Sequence, residues 1–389
     1  MGAEMTDRIR AFLDAEQRPT PFLVIDLDVV AERYGALVAA LPGVDVYYAV
    51  KANPMPEVLE VLAGLGSHFD VASWGEVEAC LAAGVSGDRI SFGNTIKRRD
   101  VIGASYDVGV RNFAFDSEAE LDKIIEQAPG SVATCRILCD GTGSAWPLAE
   151  KFGVTPEVAA PMLIRAASAG LGVGISFHVG SQQRDVTAWD RALDDFAGLI
   201  KDLANNGVEL AVLNLGGGFG SLYVDGVTPT AAEYGAAILG AVDARLGSVT
   251  SAPMIVEPGR FLVGDAGVIE TEVLLVSKKD PALDEQWVFI DIGVFSGLFE
   301  VMGEAIRYPI RTPYDDLGTA DGPVIIAGPT CDSVDVLYQH CGYRLPVDVA
   351  EGDRLQLLTT GAYTTTYSTV GFNGFAPLVC YSIPPSATA

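Results

Sequence analysis

Histidine is scarce in this chain. His68, His178 and His340 are the only three in 389 residues, too scattered to make a metal centre. The six cysteines, Cys80, Cys135, Cys139, Cys331, Cys341 and Cys380, contain no CxxC pair and no metal-like spacing. That usage in a long chain fits a reducing, cytoplasmic setting better than a disulfide scaffold. No apolar run reaches the ~18 residues of a helical membrane span. The opening MGAEMTDRIRAFLDAEQ reads as a short amphipathic helix, without the apolar core and cleavage site of a signal peptide. Basic residues are also few: 25 Lys and Arg stand against 51 Asp and Glu, a net charge of −26. Such a balance argues against nucleic acid or an anionic membrane surface as a partner. It favours the approach of a small cationic substrate, and it equally serves plain solubility. Internal repeats, low-complexity tracts and long linkers are absent.

What is present is a rhythm. Eight short β-prone runs recur: DVYYAVKAN, HFDVAS, RISFGN, NFAFDS, ATCRILCD, GISFHVGS, VLNLGGGFG and MIVEPGR. The segments between them, such as WGEVEACLAAGV and SEAELDKIIEQA, carry apolar residues at helical spacing. Strands alternating with helices make parallel βα units, and eight of them predict a closed (β/α)8 barrel. An open doubly wound sheet is the competing arrangement. It is disfavoured because GGGFG falls at the seventh strand rather than the first and is not GxGxxG. After Arg260 the rhythm changes to strands separated by Gly, Pro and Asp turns, as in VIETEVLLVSKK, QWVFIDIG, PVIIAG, RLQLLTTG and PLVCYSI. This reads as a mainly antiparallel β domain. PTPFLVIDLD, near the start, reads as a strand that pairs back with it. The expected division is a barrel over 25–264 and a β-rich domain made of 1–24 and 265–389.

Catalytic groups of such barrels sit at the C-terminal ends of the strands. The polar residues there are Lys51, Asp70 with Ser73, Asn94, Arg136, His178 with Ser181, the turn Gly216, Gly217 and Gly218, and Glu257 with Arg260. Singly, each has a structural explanation: an ion pair, a satisfied core histidine, a tight turn. Jointly they point to one cofactor. A lysine amine bonds an aldehyde, and backbone N–H groups of a glycine turn suit a phosphate. A carboxylate such as Glu257 holds a pyridine nitrogen protonated, and a flat imidazole stacks on an aromatic ring. The sum is pyridoxal 5′-phosphate, PLP.

The segments YYAVKAN, FDVAS, HVGSQ, GGGFG, EPGR, GPTCDSVDVL and GAYTTTYSTVGFNGF closely resemble the fold-type III PLP decarboxylases of basic amino acids. These are the ornithine, lysine and diaminopimelate decarboxylases, which have the alanine racemase-like fold. The likeness covers nearly the whole chain in the right order. GPTCDSVD with GAYT…FNGF resembles the ornithine/lysine branch, and DIGVFSGLFEVMGEAIRYPI its bacterial lysine/ornithine type. The resemblance implies that Lys51 is the Schiff-base lysine, that His178 stacks on the ring and that Glu257 faces the ring nitrogen, with Asp70 and Arg136 in support. It gives the phosphate to Ser181, Gly216–Gly218, Gly259, Arg260 and Tyr363. Cys331 would donate a proton at the α-carbon, and Asp332, Tyr363 and Phe372 would bind substrate. The family completes each site across a homodimer interface, so the β-rich domain would serve the partner's active site, with Lys151 and Asp335 in an intersubunit ion pair.

One departure bears on substrate. Eukaryotic ornithine decarboxylases carry an amine-binding Asp where this chain has Ile292, followed by Gly293 and Val294. Bacterial relatives commonly have an acidic residue where Gly303 precedes Glu304. The substrate tail is therefore expected to meet Asp332 and the segment from Glu300 to Glu304, and dual activity on ornithine and lysine is expected. Diaminopimelate decarboxylase, a decarboxylase of a modified amino acid and an inactive regulatory homologue are the competing readings. An alanine racemase is disfavoured by Glu257, because that type uses arginine at the pyridine nitrogen.

Overall fold

A computed structural model describes residues 4–146, 151–224, 227–247 and 249–386, with the side chain of residue 146 left aside. The chain divides into two compact units. One contains Ala31–Gly220 and Thr228–Leu262; the other contains Met1–Val30, Ser221–Val227 and Val263–Ala389.

The first unit is a closed barrel of eight parallel strands. In chain order they are Val44–Ala49, His68–Val71, Ile90–Phe92, Asn112–Phe115, Val132–Arg136, Gly172–Ser176, Leu210–Asn214 and Met254–Val256. Each overlaps one of the runs read from sequence, four lying inside it and four starting one or two residues earlier. Closure is made by the eighth strand on the first, with Val46 opposite Val256. Parallel strands are covered on both faces, so their residues are apolar almost end to end. Accordingly Phe69, Phe92, Phe113 and Phe115 are fully buried. The connecting helices start on readable signals. Ser73, Ser117 and Thr230 cap Trp74–Ala82, Glu118–Gln127 and Ala231–Leu246, and Pro56 and Pro156 open Pro56–Gly64 and Pro156–Ser168.

The second unit is, among the described residues, a nine-stranded sheet. Its long central strand, Gly267–Ser277, pairs antiparallel with Phe22–Asp26, Arg354–Leu358 and Gln286–Ile290. Two pairs are parallel: Phe22–Asp26 with Val379–Ile383, and Gln286–Ile290 with Asp321–Ala327. The strand read from PTPFLVIDLD thus joins this sheet. The division expected at residue 25 lies inside that strand, which pairs with Gly267–Ser277, and the compact unit holding it runs through Val30. The amphipathic start is the helix Asp7–Ala15, capped by Thr6, and Ile9 packs on Val24, Val268 and Leu358.

Candidate active site

The first strand ends at Ala49, where its N–H donates to Pro258 O at 3.0 Å. Lys51 therefore lies beyond the strand, in the single 3-10 turn Val50–Ala52, with its side chain exposed between buried neighbours. Sequence reading put this lysine at the end of the strand run, and the structure sets it two residues past the last strand residue.

Asp70, on the second strand, is 8% exposed, and its Oδ1 has no hydrogen-bond partner. Burial first, and then the Glu257 carboxylate, push its carboxyl well above the usual range, while Lys51 and Arg136 oppose that shift. Gly93 makes room for it: a Cβ there would stand 2.1 Å from Asp70 Oδ1. Arg136 ends the fifth strand. Burial lowers its pKa, and Glu257 and Asp70 raise it. One cavity is lined by Gly93, Arg136, His178, Asn214 and Glu257, so residues from five different strand ends converge.

His178 follows the sixth strand, and its Nδ1 accepts from Gly180 N at 3.0 Å. Burial, then Arg136 and Lys51, hold its pKa well below 6.5, so the ring is a neutral imidazole carrying its proton on Nε2. The unfolded chain protonates this histidine below about pH 6.5 and the fold does not, so the protein loses stability as pH falls through that value. Replacing His178 by Gln should flatten this acid limb in denaturant midpoints measured on the apoprotein. An unchanged limb would assign it to other groups.

The glycine turn admits no side chain. A Cβ would meet Phe177 O at 1.9 Å from Gly216, Glu257 O at 2.5 Å from Gly217, and Gly180 O at 2.7 Å from Gly218. Gly216 and Gly218 also have positive φ, +71° and +111°. Among the described residues the N–H groups of Gly217 and Gly218 meet no protein acceptor. Beside them Arg260 Nη2 donates to Ser181 Oγ at 3.2 Å, and Gly259 opens the turn that carries Arg260. Glu257 N donates to Gly216 O at 2.8 Å, and its Oε1 accepts from Asn214 Nδ2.

These features fit PLP. Open backbone donors beside a guanidinium suit a dianionic phosphate. Asp70 and Glu257 each leave a carboxylate oxygen with no protein hydrogen bond among the described residues. Lys51 offers an exposed amine, and His178 a neutral ring.

Two residues on the strand-end list have local work instead. Ser73 Oγ caps a helix by accepting from Glu76 N, and Asn94 ties its own loop to Ala72 O at 3.2 Å. Sequence reading missed Asn214 and Glu76. Asn214 is a polar strand end directly before the glycine run, the same signal that marked the others. Glu76, three residues after the capping Ser73, accepts from Ala72 N at 2.7 Å and interacts electrostatically with Lys51.

In the β-rich unit Cys331 and Asp332 are exposed at one loop. Cys331 N and Sγ donate to Asn373 Oδ1 at 3.2 and 3.5 Å, and Asp332 Oδ1 accepts from Val334 N at 2.9 Å. Phe372 packs on Phe295, ring centres 4.6 Å apart. Tyr363 has a φ of +60° and lies 5.7 Å from the Tyr367 ring. Asp335 is 2% exposed, and its oxygens accept from Val294 N, Thr330 N and Thr330 Oγ1 at 2.8, 3.0 and 2.6 Å. It anchors this loop within its own chain, whereas Lys151, in the barrel unit, is exposed beside Phe152. Ile292 is fully buried and Glu300 is 5% exposed. Glu304 accepts from Gln339 N and His340 N, both at 2.6 Å. Of the carboxylates expected to meet a substrate tail, the exposed one is Asp332.

Residues 27–264 match the model of the pyridoxal-binding domain of pyridoxal-dependent decarboxylases. The chain is 36% identical to the lysine/ornithine decarboxylase of Selenomonas ruminantium, over 96% of this chain and 93% of that protein. Among solved structures, the lysine/ornithine decarboxylase of Vibrio vulnificus complexed with cadaverine superposes with a TM-score of 0.85 at 29% identity, covering 97% and 98% of the two chains. The arginine decarboxylase of Paramecium bursaria Chlorella virus gives 0.86 at 30%, covering 96% and 99%. On the match over 27–264 and the identity to the Selenomonas enzyme, the chain belongs to the pyridoxal-dependent decarboxylases, enzymes that use PLP.

Proposed function

We propose that this enzyme removes the α-carboxylate of L-ornithine and of L-lysine, giving putrescine or cadaverine and carbon dioxide. The observation that carries the substrate reading is the exposed carboxylate of Asp332, next to Cys331, on a loop fixed by Asp335. A carboxylate is the natural partner of a distal ammonium group. The relatives support this reading, since two are named for lysine and ornithine.

PLP, when bound, supplies an electron-accepting ring that lowers the barrier to losing carbon dioxide from the α-carbon. Lys51, Ser181, Gly216–Gly218, Gly259, Arg260 and Tyr363 would hold it. Asp70 and Arg136 would support the ring side, and His178 would cover one ring face as a neutral, non-repelling group. Glu257 would face the ring nitrogen and support its protonated form. Departure of carbon dioxide leaves the α-carbon one proton short, and Cys331 Sγ would deliver that proton, so the net reaction consumes one proton per turnover. Phe372 and Tyr363 would line the substrate side. Among the described residues no helix is long and apolar enough to cross a membrane, and the six cysteines form no disulfide. We place the enzyme in the cytoplasm on the cysteine usage.

Incubation with a mixture of lysine, ornithine, arginine and meso-diaminopimelate, read by mass spectrometry, tests the substrate reading. Lysine and ornithine should both be consumed, with preference of modest size, because one methylene discriminates by only ~1–3 kcal/mol. Consumption of meso-diaminopimelate alone would overturn it. Asp332→Ala should raise KM for both diamino acids by roughly tenfold or more, the expected loss of a charge-assisted contact.

The active assembly is a two-fold homodimer in which each site takes Lys51 from one subunit and Cys331 with Asp332 from the other. The support is that these residues lie in different compact units and that the family shares its sites between subunits. Mixing Lys51→Ala with Cys331→Ala protein should therefore restore activity. After free exchange half the dimers are mixed, and each mixed dimer has one intact site, so roughly a quarter of all sites recover. No recovery despite measured exchange would place each site within one chain.

A further inference from the structure

Asn214 closes a small circuit. Its Oδ1 accepts from Gly216 N at 2.9 Å, its Nδ2 donates to Glu257 Oε1, and Glu257 N donates to Gly216 O at 2.8 Å. The amide orientation follows from chemistry. Gly216 offers only an N–H, so it must meet the oxygen end, and the NH2 end is left for the carboxylate. Asn214 is 3% exposed, so water has little access to replace either bond. Two functions of the site thus meet in one side chain. One is the shape of the glycine turn, whose next two N–H groups meet no protein acceptor among the described residues. The other is the aim of Glu257, which keeps Oε2 without a protein donor.

We propose that Asn214 is a positioning residue of this enzyme: its single amide sets both the phosphate-receiving turn and the Glu257 carboxylate that serves the cofactor ring. The proposal rests on the role given above to Glu257.

The near-isosteric Asn214→Asp separates the two bonds. The introduced carboxyl keeps an acceptor for Gly216, but it donates to Glu257 only while protonated. Once ionised, it sets two carboxylates against each other. The ratio of variant to wild-type kcat should fall roughly tenfold or more between about pH 6 and about pH 9, with KM within about threefold. The visible circular-dichroism band of the bound cofactor should change over the same range. Asn214→Ala removes both bonds. It should weaken cofactor binding to the apoprotein by roughly tenfold in a fluorescence titration and lower kcat at every pH. A flat kcat ratio with a pH-invariant band in Asn214→Asp overturns the proposal, and so does unaltered cofactor affinity in Asn214→Ala. If Glu257→Gln shows its expected loss while Asn214→Asp is flat, only the proposal falls. If both are silent, the reading of the site falls with it.

Discussion

Replacing Lys51 by alanine is expected to abolish borohydride-fixed attachment of the cofactor and to lower turnover by roughly a thousandfold or more, with the barrel still folded. Folding should survive because Lys51 is exposed and sits past the end of its strand. The assignment has a rival within the same barrel. Lys97 is buried, and burial pulls its amine down to about 8, against the Glu120 carboxylate that raises it. A larger share of its amine is unprotonated at neutral pH than for an ordinary lysine, which makes Lys97 a chemical rival. Its surroundings decide otherwise: its Nζ lies 3.0 Å from Glu120 Oε1 and donates to Asn94 O and Ala114 O at 2.8 and 2.5 Å. Two carbonyls and the Glu120 carboxylate surround the ammonium and the side chain is inaccessible, so an aldehyde has no approach. Mapping the borohydride-trapped pyridoxyl peptide decides between them. A label on Lys97, or on any lysine other than Lys51, removes Lys51 from its role.

Glu257→Gln should leave PLP bound and lower kcat on the order of a hundredfold, about 3 kcal/mol of lost electrostatic stabilisation. Asn214 decides how the introduced amide orients. Its NH2 end points at residue 257, so an introduced amide satisfies it best by turning its own oxygen toward Asn214. That leaves an NH2 group on the cofactor side. A carboxylate accepts a proton-bearing nitrogen and balances its charge; an NH2 does neither. The glycine turn keeps its Asn214 acceptor and the Arg260–Ser181 contact, so phosphate retention should be spared. Bound cofactor measured by absorbance and kcat measured on ornithine should therefore separate. Unchanged turnover would exclude Glu257 from the ring nitrogen.

Sequence by itself determined the barrel. Parallel strands covered on both faces must be apolar along most of their length, and their helices must carry apolar residues at helical spacing, so each βα unit is written locally. It also determined where chemistry gathers, because polar residues that interrupt an apolar run at a strand end have few places to go except the barrel mouth. Lys51, Asp70, Arg136, His178 and Glu257 were legible as candidates for that reason, and the glycine turn by its lack of side chains. The assignment of hydrogen bonds was not legible, since a carboxylate's partner is chosen through space among residues distant in the chain. Asp335 faces Val294, 41 positions away, and becomes a buried loop anchor. One oxygen of Glu304 is taken up by the N–H groups of Gln339 and His340, 35 and 36 positions away. Phe22–Asp26 finds its strand partners far along the chain, at Gly267–Ser277 and Val379–Ile383. Glu257 and Asn214, 43 positions apart, become one unit only because the seventh and eighth strands lie side by side. Local pattern sets which elements form and where their polar ends project; tertiary packing alone decides which of those polar groups are spent on the fold and which remain for chemistry.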